Sequence, residues 1–166
     1  MHSNNDNVKM STFSFEYHRI PMSDLSEPDR ELCRRAELAT GGSYSPYSNY
    51  KVGAALRLAD NTVVAGANQE NASYPCGTCA ERTALNYAQA NHPQVAVEAI
   101  AVAAAEVNDC NDDTCGHRPP YPCGLCRQAL AEAEHRQHIP VKVLLVDGDE
   151  VIVIPSALCL LPFTFE

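Results

Sequence analysis

Three cysteines at the starts of two helix-favouring segments constrain this chain more than any other feature of its sequence. Cys79 opens a segment that extends to about Ala90, and Cys123 and Cys126 open another that extends to about Gln137. A helix N-terminus carries partial positive charge and free N–H groups, and both favour the thiolate form of a nearby cysteine. Two such helix ends that face each other would present three thiolates to one zinc ion and leave its fourth tetrahedral position for water.

A carboxylate and a cation follow the first of these cysteines directly. Glu81 lies two residues after Cys79, and at a helix end both side chains can flank the same ion. A carboxylate beside a metal-activated water can take its proton and pass it to a substrate. Three thiolates outweigh the charge of Zn²⁺, so the guanidinium of Arg82 would offset the surplus and keep the ion a good Lewis acid. These residues predict a hydrolytic centre.

Charge and apolar content limit the other classes of function. The chain has 12 Lys and Arg against 21 Asp and Glu, and its net charge of −9 disfavours binding to nucleic-acid phosphates. Its apolar runs are shorter than the ~18 residues of a membrane helix, and its polar N-terminus lacks the apolar core of a secretory signal. We therefore expect a cytoplasmic protein with no nucleic-acid or membrane partner. Its eight cysteines then serve metal binding or catalysis rather than disulfides.

The pattern of apolar residues predicts a single α/β domain over residues 1–166. Helix patterns begin near Ser26 and at the two cysteine motifs, and strand patterns cover 51–58, 62–68, 95–105, 141–146 and 151–154. Residues 1–25 form an N-terminal extension. In this extension Phe13, Phe15 and Tyr17 alternate with polar residues, which is typical of a half-exposed edge strand.

The two cysteine motifs belong to a series of four motifs along residues 30–165. The series comprises Ser45-Pro46-Tyr47-Ser48 with Val52-Gly53-Ala54-Ala55, Asn68-Gln69-Glu70-Asn71-Ala72-Ser73-Tyr74, Cys79-Ala80-Glu81-Arg82-Thr83-Ala84 and Pro122-Cys123-Gly124-Leu125-Cys126-Arg127-Gln128. In these motifs and in their order the chain resembles the small zinc-dependent cytidine deaminases of pyrimidine salvage, the three-cysteine, homotetrameric type of nucleobase deaminase. Agreement in four motifs argues against chance similarity.

The resemblance implies a fold and a reaction. The fold would be a three-layer α/β/α sandwich with a mixed sheet of about five strands and a zinc site between two helix N-termini. Cys79, Cys123 and Cys126 would hold one Zn²⁺ per chain, and the zinc-bound hydroxide would attack C4 of cytosine. Glu81 would move protons from the water to N3 of the ring and then to the departing amine. Cytidine and 2′-deoxycytidine would thus yield uridine and 2′-deoxyuridine with release of ammonia.

The resemblance also assigns contacts with the nucleoside. The family residues that match Asn68 and Glu70 hydrogen-bond the ribose hydroxyls, and an acidic group there would repel the phosphate of a nucleotide. Tyr50 stands where the family usually has a phenylalanine against the pyrimidine ring. Backbone groups of Ala80 would bind the edge of the base.

Residues from neighbouring chains would complete each site in the homotetramer that the resemblance implies. Phe165 matches an aromatic residue that packs on the base from another subunit, and Tyr74 matches a residue near subunit boundaries. The expected partners are therefore a nucleoside, water and further copies of this chain.

The residues leave two alternative functions open. Cys76 and Cys79 with Cys123 and Cys126 form two C-x₂-C pairs, which would make the closed four-cysteine zinc site of a small binding module. The long separation of the two pairs and the unexplained Glu81 count against this alternative. The other is a deaminase of a modified cytosine nucleoside, such as a blasticidin-type antibiotic, against which the ribose-binding motif counts.

The chain also departs from the family pattern in places that leave the metal ligands untouched. The loop over residues 106–122 is longer than usual and carries Cys110 and Cys115, which we interpret as loop cysteines. Cys76 stands where the family often has an apolar or small residue. These departures leave the substrate range and the conformation of the loop open.

Overall fold

A mixed sheet of six strands forms the centre of the computed structural model, which describes residues 9–105 and 119–165. The strands are β1 (His18–Pro21), β2 (Val52–Leu58), β3 (Val63–Ala67), β4 (Val97–Ala104), β5 (Lys142–Asp147) and β6 (Glu150–Ile154). Their order is β1-β6-β5-β4-β2-β3, in which β4 and β5 pair in parallel and the other neighbours are antiparallel. The expected mixed sheet is confirmed, with six strands rather than about five.

Helices cover both faces of this sheet. They are α1 (Glu27–Ala39), α2 (Ala80–Asn91) and α3 (Gly124–Gln137). Leu32 of α1 belongs to the core on one face, whereas Leu85 of α2 and Leu130 of α3 belong to the core on the other. This arrangement is the three-layer α/β/α sandwich. Within the described part of the chain, no helix combines the length and apolar content that crossing a bilayer requires.

The N-terminal edge strand lies later in the chain than its aromatic pattern predicts. β1 begins at His18, which pairs with Val153 of β6, so the prediction of a strand over Phe13–Tyr17 is wrong in position. β6 ends at Ile154 and Pro155 follows it. Because proline has no N–H to donate, the ladder cannot continue along the residues before His18.

An ion-pair cluster joins α1 to the sheet. Asp29, in the first turn of α1, is buried and accepts hydrogen bonds from Arg57 Nη1 at 3.0 Å and Lys142 Nζ at 2.6 Å. Burial alone would raise the pKa of Asp29, but the bonds from Lys142 and Arg57 outweigh it and hold the pKa below its ordinary value. The cluster therefore stabilises the contact between α1 and the sheet in the ionised form of Asp29.

Gly66 of β3 lets α2 lie directly on the sheet. A Cβ at this position would be 2.7 Å from the amide nitrogen of Ala84 and 3.0 Å from the carbonyl oxygen of Ala80. Real Cβ atoms essentially never come that close to backbone nitrogen. Because α2 begins at Ala80, the contact also fixes the position of the first turn of this helix over the sheet.

Candidate active site

The two cysteine motifs begin their helices as the sequence predicts. Cys79 is the N-cap residue of α2 and Cys123 is the N-cap residue of α3, and both have extended backbone conformations. Cys126 lies in the first turn of α3 and is buried, whereas Cys123 is exposed and Cys79 is partly buried. Both helices therefore direct the free N–H groups of their first turns toward the cysteines.

The three sulfur atoms form a group of the size that a zinc ion needs. All three lie within 4.8 Å of one another. The Sγ of Cys79 is 3.7 Å from that of Cys123, which in turn is 3.5 Å from that of Cys126. Zinc–thiolate bonds of about 2.3 Å at tetrahedral angles place sulfur atoms about 3.8 Å apart, so the donor set fits Zn²⁺.

Three protein ligands leave one tetrahedral position of such an ion for another molecule. Among the described residues, the group that could hold a metal comprises these three cysteines and includes neither Cys76 nor Glu81. Cys76 is exposed, in a short 3₁₀ helix over Tyr74–Cys76. The closed four-cysteine site is therefore not what the structure contains, and the arrangement matches a catalytic zinc site rather than a structural one.

Charge at the cysteine group favours a bound cation. A hydrogen bond with the Cys126 thiol, the bond with Cys123 and the positive charge of Arg82 together outweigh the effect of burial and lower the pKa of Cys79 to about 6. The bond with Cys79 and burial raise the pKa of Cys126 above its ordinary value. Binding of a divalent cation would release thiol protons, as metal binding to cysteine does in general.

Backbone contacts on both sides hold the cysteines in place. Arg127 Nε donates to the carbonyl of Pro122 at 2.8 Å, directly before Cys123. On the other helix the hydroxyl of Thr83 donates to the carbonyl of Cys79 at 3.1 Å. These side chains follow the cysteines in the two motifs, so their role in the structure is to fix the helix ends that carry the sulfur atoms.

Glu81 lies in a cavity of about 250 Å³ beside the cysteines. Glu81 is only 5% exposed, and this burial raises the pKa of its carboxyl group. The negative charge of Cys79 also raises this pKa. A carboxyl group with a raised pKa can both accept and release a proton closer to neutral pH. Arg82 does not line the cavity and acts on Cys79 through its positive charge.

The cavity lies at the ends of strands β2 and β3. It is bounded by the first residue of β2, the residues after β3, the start of α2 and the segment before α3. The described residues that line it are Ser48, Tyr50, Val52, Asn68, Glu70, Cys79, Ala80, Glu81, Pro120, Tyr121 and Cys123. Of the residues expected to contact the nucleoside, all except Phe165 therefore line this cavity. Cys79 and Cys123 line it as well.

Asn68 is largely used by the protein itself. Its Oδ1 accepts from Ser43 Oγ at 2.6 Å and from the amide of Val52 at 2.8 Å, and its Nδ2 donates to the carbonyl of Tyr50 at 2.9 Å. An asparagine amide has two N–H donors, so one remains for a ligand. Asn68 thus orders the neighbouring loop as well as lining the cavity.

Glu70 faces the same loop. Its Oε2 accepts from the amides of Tyr47 at 2.8 Å and Ser48 at 3.3 Å. The pKa of Glu70 is below its ordinary value, chiefly because of hydrogen bonding with the Ser48 side chain and then with the amide of Tyr47. The two carboxyl groups of the cavity therefore differ: Glu70 is kept ionised as an acceptor, whereas Glu81 is suited to proton exchange.

Phe165 does not line the cavity of its own chain. It is 83% exposed, and its backbone forms two hydrogen bonds with the side chain of Gln128, at 3.1 Å to Oε1 and 2.9 Å from Nε2. Tyr74, the other residue expected near a subunit boundary, is 92% exposed. Both side chains are therefore displayed on the surface of the single chain.

Four of the residues that line the cavity were not singled out from the sequence. They are Ser48, Val52, Pro120 and Tyr121. Ser48 and Val52 belong to the first motif, and Tyr121 directly precedes the last, so adjacency to a motif was the available signal. Cys110, Cys115 and most of the 106–122 loop lie outside the described residues.

Comparison with known proteins agrees with this site. Residues 26–142 match the family model described as the cytidine and deoxycytidylate deaminase zinc-binding region. A cytidine deaminase of Halalkalibacterium halodurans is 45% identical over 107 residues, which cover 63% of this chain and 71% of that protein. One of Sporosarcina psychrophila is 40% identical over 119 residues, which cover 72% of this chain and 79% of the relative.

Solved structures agree with the fold as well. The crystal structure of cytidine deaminase from Burkholderia pseudomallei superposes with a TM-score of 0.67 at 38% identity and covers 85% of this chain and all of that one. The structure of cytidine deaminase from Mycobacterium tuberculosis superposes with a TM-score of 0.60 at 29% identity, over 82% of this chain and 95% of that one. The chain therefore belongs to the cytidine and deoxycytidylate deaminase family, whose zinc-binding region it contains.

Proposed function

We propose that this protein hydrolyses cytidine and 2′-deoxycytidine to uridine and 2′-deoxyuridine, with release of ammonia, as an enzyme of pyrimidine salvage. The observation that carries the proposal is a group of three cysteine sulfur atoms beside the buried Glu81 carboxyl in a cavity of about 250 Å³. Three protein donors would leave one position of a tetrahedral ion for water. The relatives at 45% and 40% identity are cytidine deaminases, which supports the same reaction here.

Cys79, Cys123 and Cys126 would hold one Zn²⁺ per chain. When bound, the ion supplies Lewis acidity that makes a water molecule nucleophilic near neutral pH. The chain itself fixes the three sulfur atoms at the ends of two helices. It also places Arg82 where its positive charge acts on Cys79. The positive charge of Arg82 offsets the surplus negative charge of three thiolates.

Glu81 is the proposed proton carrier. Its carboxylate would accept a proton from the attacking water and deliver it to N3 of the cytosine ring. A second proton from the same water would then reach the exocyclic nitrogen through this carboxyl group, and the amine would leave as ammonia. Water and cytidine are thus consumed and uridine and ammonia formed, with Glu81 returned to its starting state.

The walls of the cavity suit a nucleoside. Glu70 and the remaining N–H of Asn68 would bind ribose hydroxyls, and Tyr50 and the backbone of Ala80 would contact the base. Among the described residues that line the cavity there is no lysine, arginine or histidine to bind a phosphate. The charge of Glu70 would in addition repel a phosphate at the sugar.

We further propose a homotetramer in the cytoplasm. The exposed Phe165, held through its backbone by Gln128, and the exposed Tyr74 would contact neighbouring chains, with Phe165 reaching the base in another subunit. A reducing compartment would keep the three site cysteines available for zinc. The net charge of −9 supports a role without a nucleic-acid partner.

Turnover of cytidine by the zinc-loaded protein tests the proposal directly. Cytidine absorbance should fall as uridine forms, and purified zinc-loaded protein that leaves cytidine unchanged would refute the proposed function. Parallel assays with a blasticidin-type nucleoside would separate the main proposal from the alternative substrate class.

The role of Glu81 is tested by Glu81→Gln. We expect kcat to fall by about 10²–10⁴-fold because the amide cannot take up the proton, while the zinc content stays at one ion per chain. Glu132→Gln changes an exposed glutamate on α3 and serves as the matched control. Unchanged turnover in Glu81→Gln would remove this residue from the mechanism.

A further inference from the structure

The segment over residues 43–50, here called the pocket loop, takes its conformation from two side chains that follow β3. Asn68 binds the side chain of Ser43 at one end of the loop and the carbonyl of Tyr50 at the other. Glu70 binds two amides in the middle of the loop, and its own amide donates to the carbonyl of Tyr44 at 2.7 Å. The loop and the sugar-side residues of the cavity are therefore one hydrogen-bonded unit.

Ser48 is the loop residue at which these contacts meet. Its amide donates to Oε2 of Glu70 at 3.3 Å, and its Oγ accepts from the amide of Tyr50 at 3.0 Å. All three residues line the cavity. Ser48 therefore bridges Glu70 and Tyr50, through its amide on one side and its hydroxyl oxygen on the other. Hydrogen bonding with the Ser48 side chain is also the largest cause of the lowered pKa of Glu70.

The loop departs from regular backbone at the next residue. Asn49 has a φ of 56°, in the left-handed region, and its amide donates to the carbonyl of Ser45 at 3.0 Å. A residue in this conformation persists when neighbouring contacts hold it. The contacts of Ser48 on one side and of Tyr50 on the other supply that restraint, so the side chain of Ser48 acts where the loop turns into the cavity.

We propose that Ser48 is a positioning residue for nucleoside binding, which binds the sugar-side carboxylate of Glu70 through its amide and the base-side residue Tyr50 through its hydroxyl and so keeps the two at a fixed separation. The proposal rests on the proposed function, because it takes Glu70 as the group that binds ribose. Ser48 acts through Glu70 and Tyr50 and not on the reacting atoms. Its loss should therefore weaken binding of the nucleoside and leave the chemical step intact.

Substitution of Ser48 by alanine is the first test. We expect Ser48→Ala to raise KM for cytidine about fivefold, the effect of one modest hydrogen bond, with kcat within about twofold of the wild type. Ser48→Thr keeps the hydroxyl and should restore KM to within about twofold. Ser23→Ala removes a hydroxyl that binds Asp24 at 2.9 Å, in a segment that does not line the cavity, and should leave both constants unchanged.

A substrate without the 2′- and 3′-hydroxyls separates positioning from a general structural role. The increase in KM for Ser48→Ala should disappear with 2′,3′-dideoxycytidine, which lacks the two ring hydroxyls that Glu70 would bind. In a Glu70→Gln background, Ser48→Ala should raise KM less than about twofold, because the ribose-binding carboxylate that Ser48 positions is already gone. An equal penalty with both substrates, or an unchanged KM for cytidine in Ser48→Ala, would overturn the proposal.

Binding of the product uridine tests the inference without turnover. Calorimetry on the zinc-loaded protein should show a dissociation constant about fivefold weaker for Ser48→Ala than for the wild type, and no change for Ser23→Ala. Wild-type protein that binds uridine but leaves cytidine unchanged would refute the proposed reaction, and the two dissociation constants would still decide the role of Ser48. Equal dissociation constants would refute that role even if turnover of cytidine is normal.

Discussion

Replacement of Gly66 by alanine should displace α2 and, with it, the residues at the start of the helix. The new Cβ would lie 2.7 Å from the amide nitrogen of Ala84, whereas ordinary contacts begin at 3.4 Å, so the helix must retreat by about 0.7 Å. Overpacking of this kind costs about 1–3 kcal/mol of unfolding free energy. A misplacement approaching 1 Å can lower kcat by about 10²-fold, because reacting groups must be held in their productive geometry.

Three measurements on Gly66→Ala follow from this displacement. Urea unfolding should give the loss of stability, competition with a chelator should give weaker zinc binding, and steady-state assays should give a lower kcat for the folded protein. Zinc binding should weaken because Cys79 moves with α2 while Cys123 and Cys126 stay with α3. The 3.7 Å separation of the Cys79 and Cys123 sulfur atoms would then no longer be kept.

Two control variants distinguish displacement of the site from loss of stability. Gly41→Ala adds the same methyl group where no heavy atom lies within 4 Å, and should change none of the three measurements. Leu32→Val trims a buried residue of α1 on the opposite face of the sheet, and should lower stability by about 1 kcal/mol while zinc binding and kcat stay normal. If Gly66→Ala behaves like Leu32→Val, the contact of α2 with Gly66 does not set the geometry of the site.

Two further substitutions test other contacts. Asp29→Asn should lower the unfolding free energy by about 2 kcal/mol at pH 7, because Lys142 and Arg57 lose a charged partner. The folded pKa of Asp29 is depressed, so its contribution is present above the unfolded pKa of about 3.9 and is lost as pH falls through the folded value. Urea titrations should therefore show the difference from wild type shrinking below about pH 4, and a pH-independent difference would contradict this. Cys76→Ser should keep both zinc content and cytidine turnover, whereas loss of metal on analysis would show that a fourth cysteine ligates it.

The helices and buried strands could be predicted because each has a strong local signal. Ser26 accepts a bond from the amide of Asp29 as an N-cap, and α2 and α3 begin directly after the cysteines that mark them. The apolar run over 95–105 became the buried strand β4. These elements depend on the periodicity of apolar side chains and on capping residues, and both can be read from the sequence itself.

Strand pairing and the hydrogen-bond partners of individual side chains could not be predicted in the same way. Alternation of Phe13, Phe15 and Tyr17 predicted an edge strand, but where pairing stops depends on Pro155 in a distant segment. The same applies to Asn68, for which the family resemblance implied a ribose contact. Its bonds to Ser43, Val52 and Tyr50 exist only once the loop and the strand are folded together. Long-range partners of this kind are not encoded in local pattern.

The many bonds that Asn68 makes to the protein bear on the affinity of the site. A loop that had to become ordered around its ligand would spend about 1–2 kcal/mol of backbone entropy per residue at each binding event. Here that ordering is completed during folding, since the amide group of Asn68 joins both ends of the pocket loop before any ligand arrives. The loss of affinity measured after substitution of Asn68 will therefore combine two effects, the loss of preorganisation of the pocket loop and the loss of any contact with the ligand.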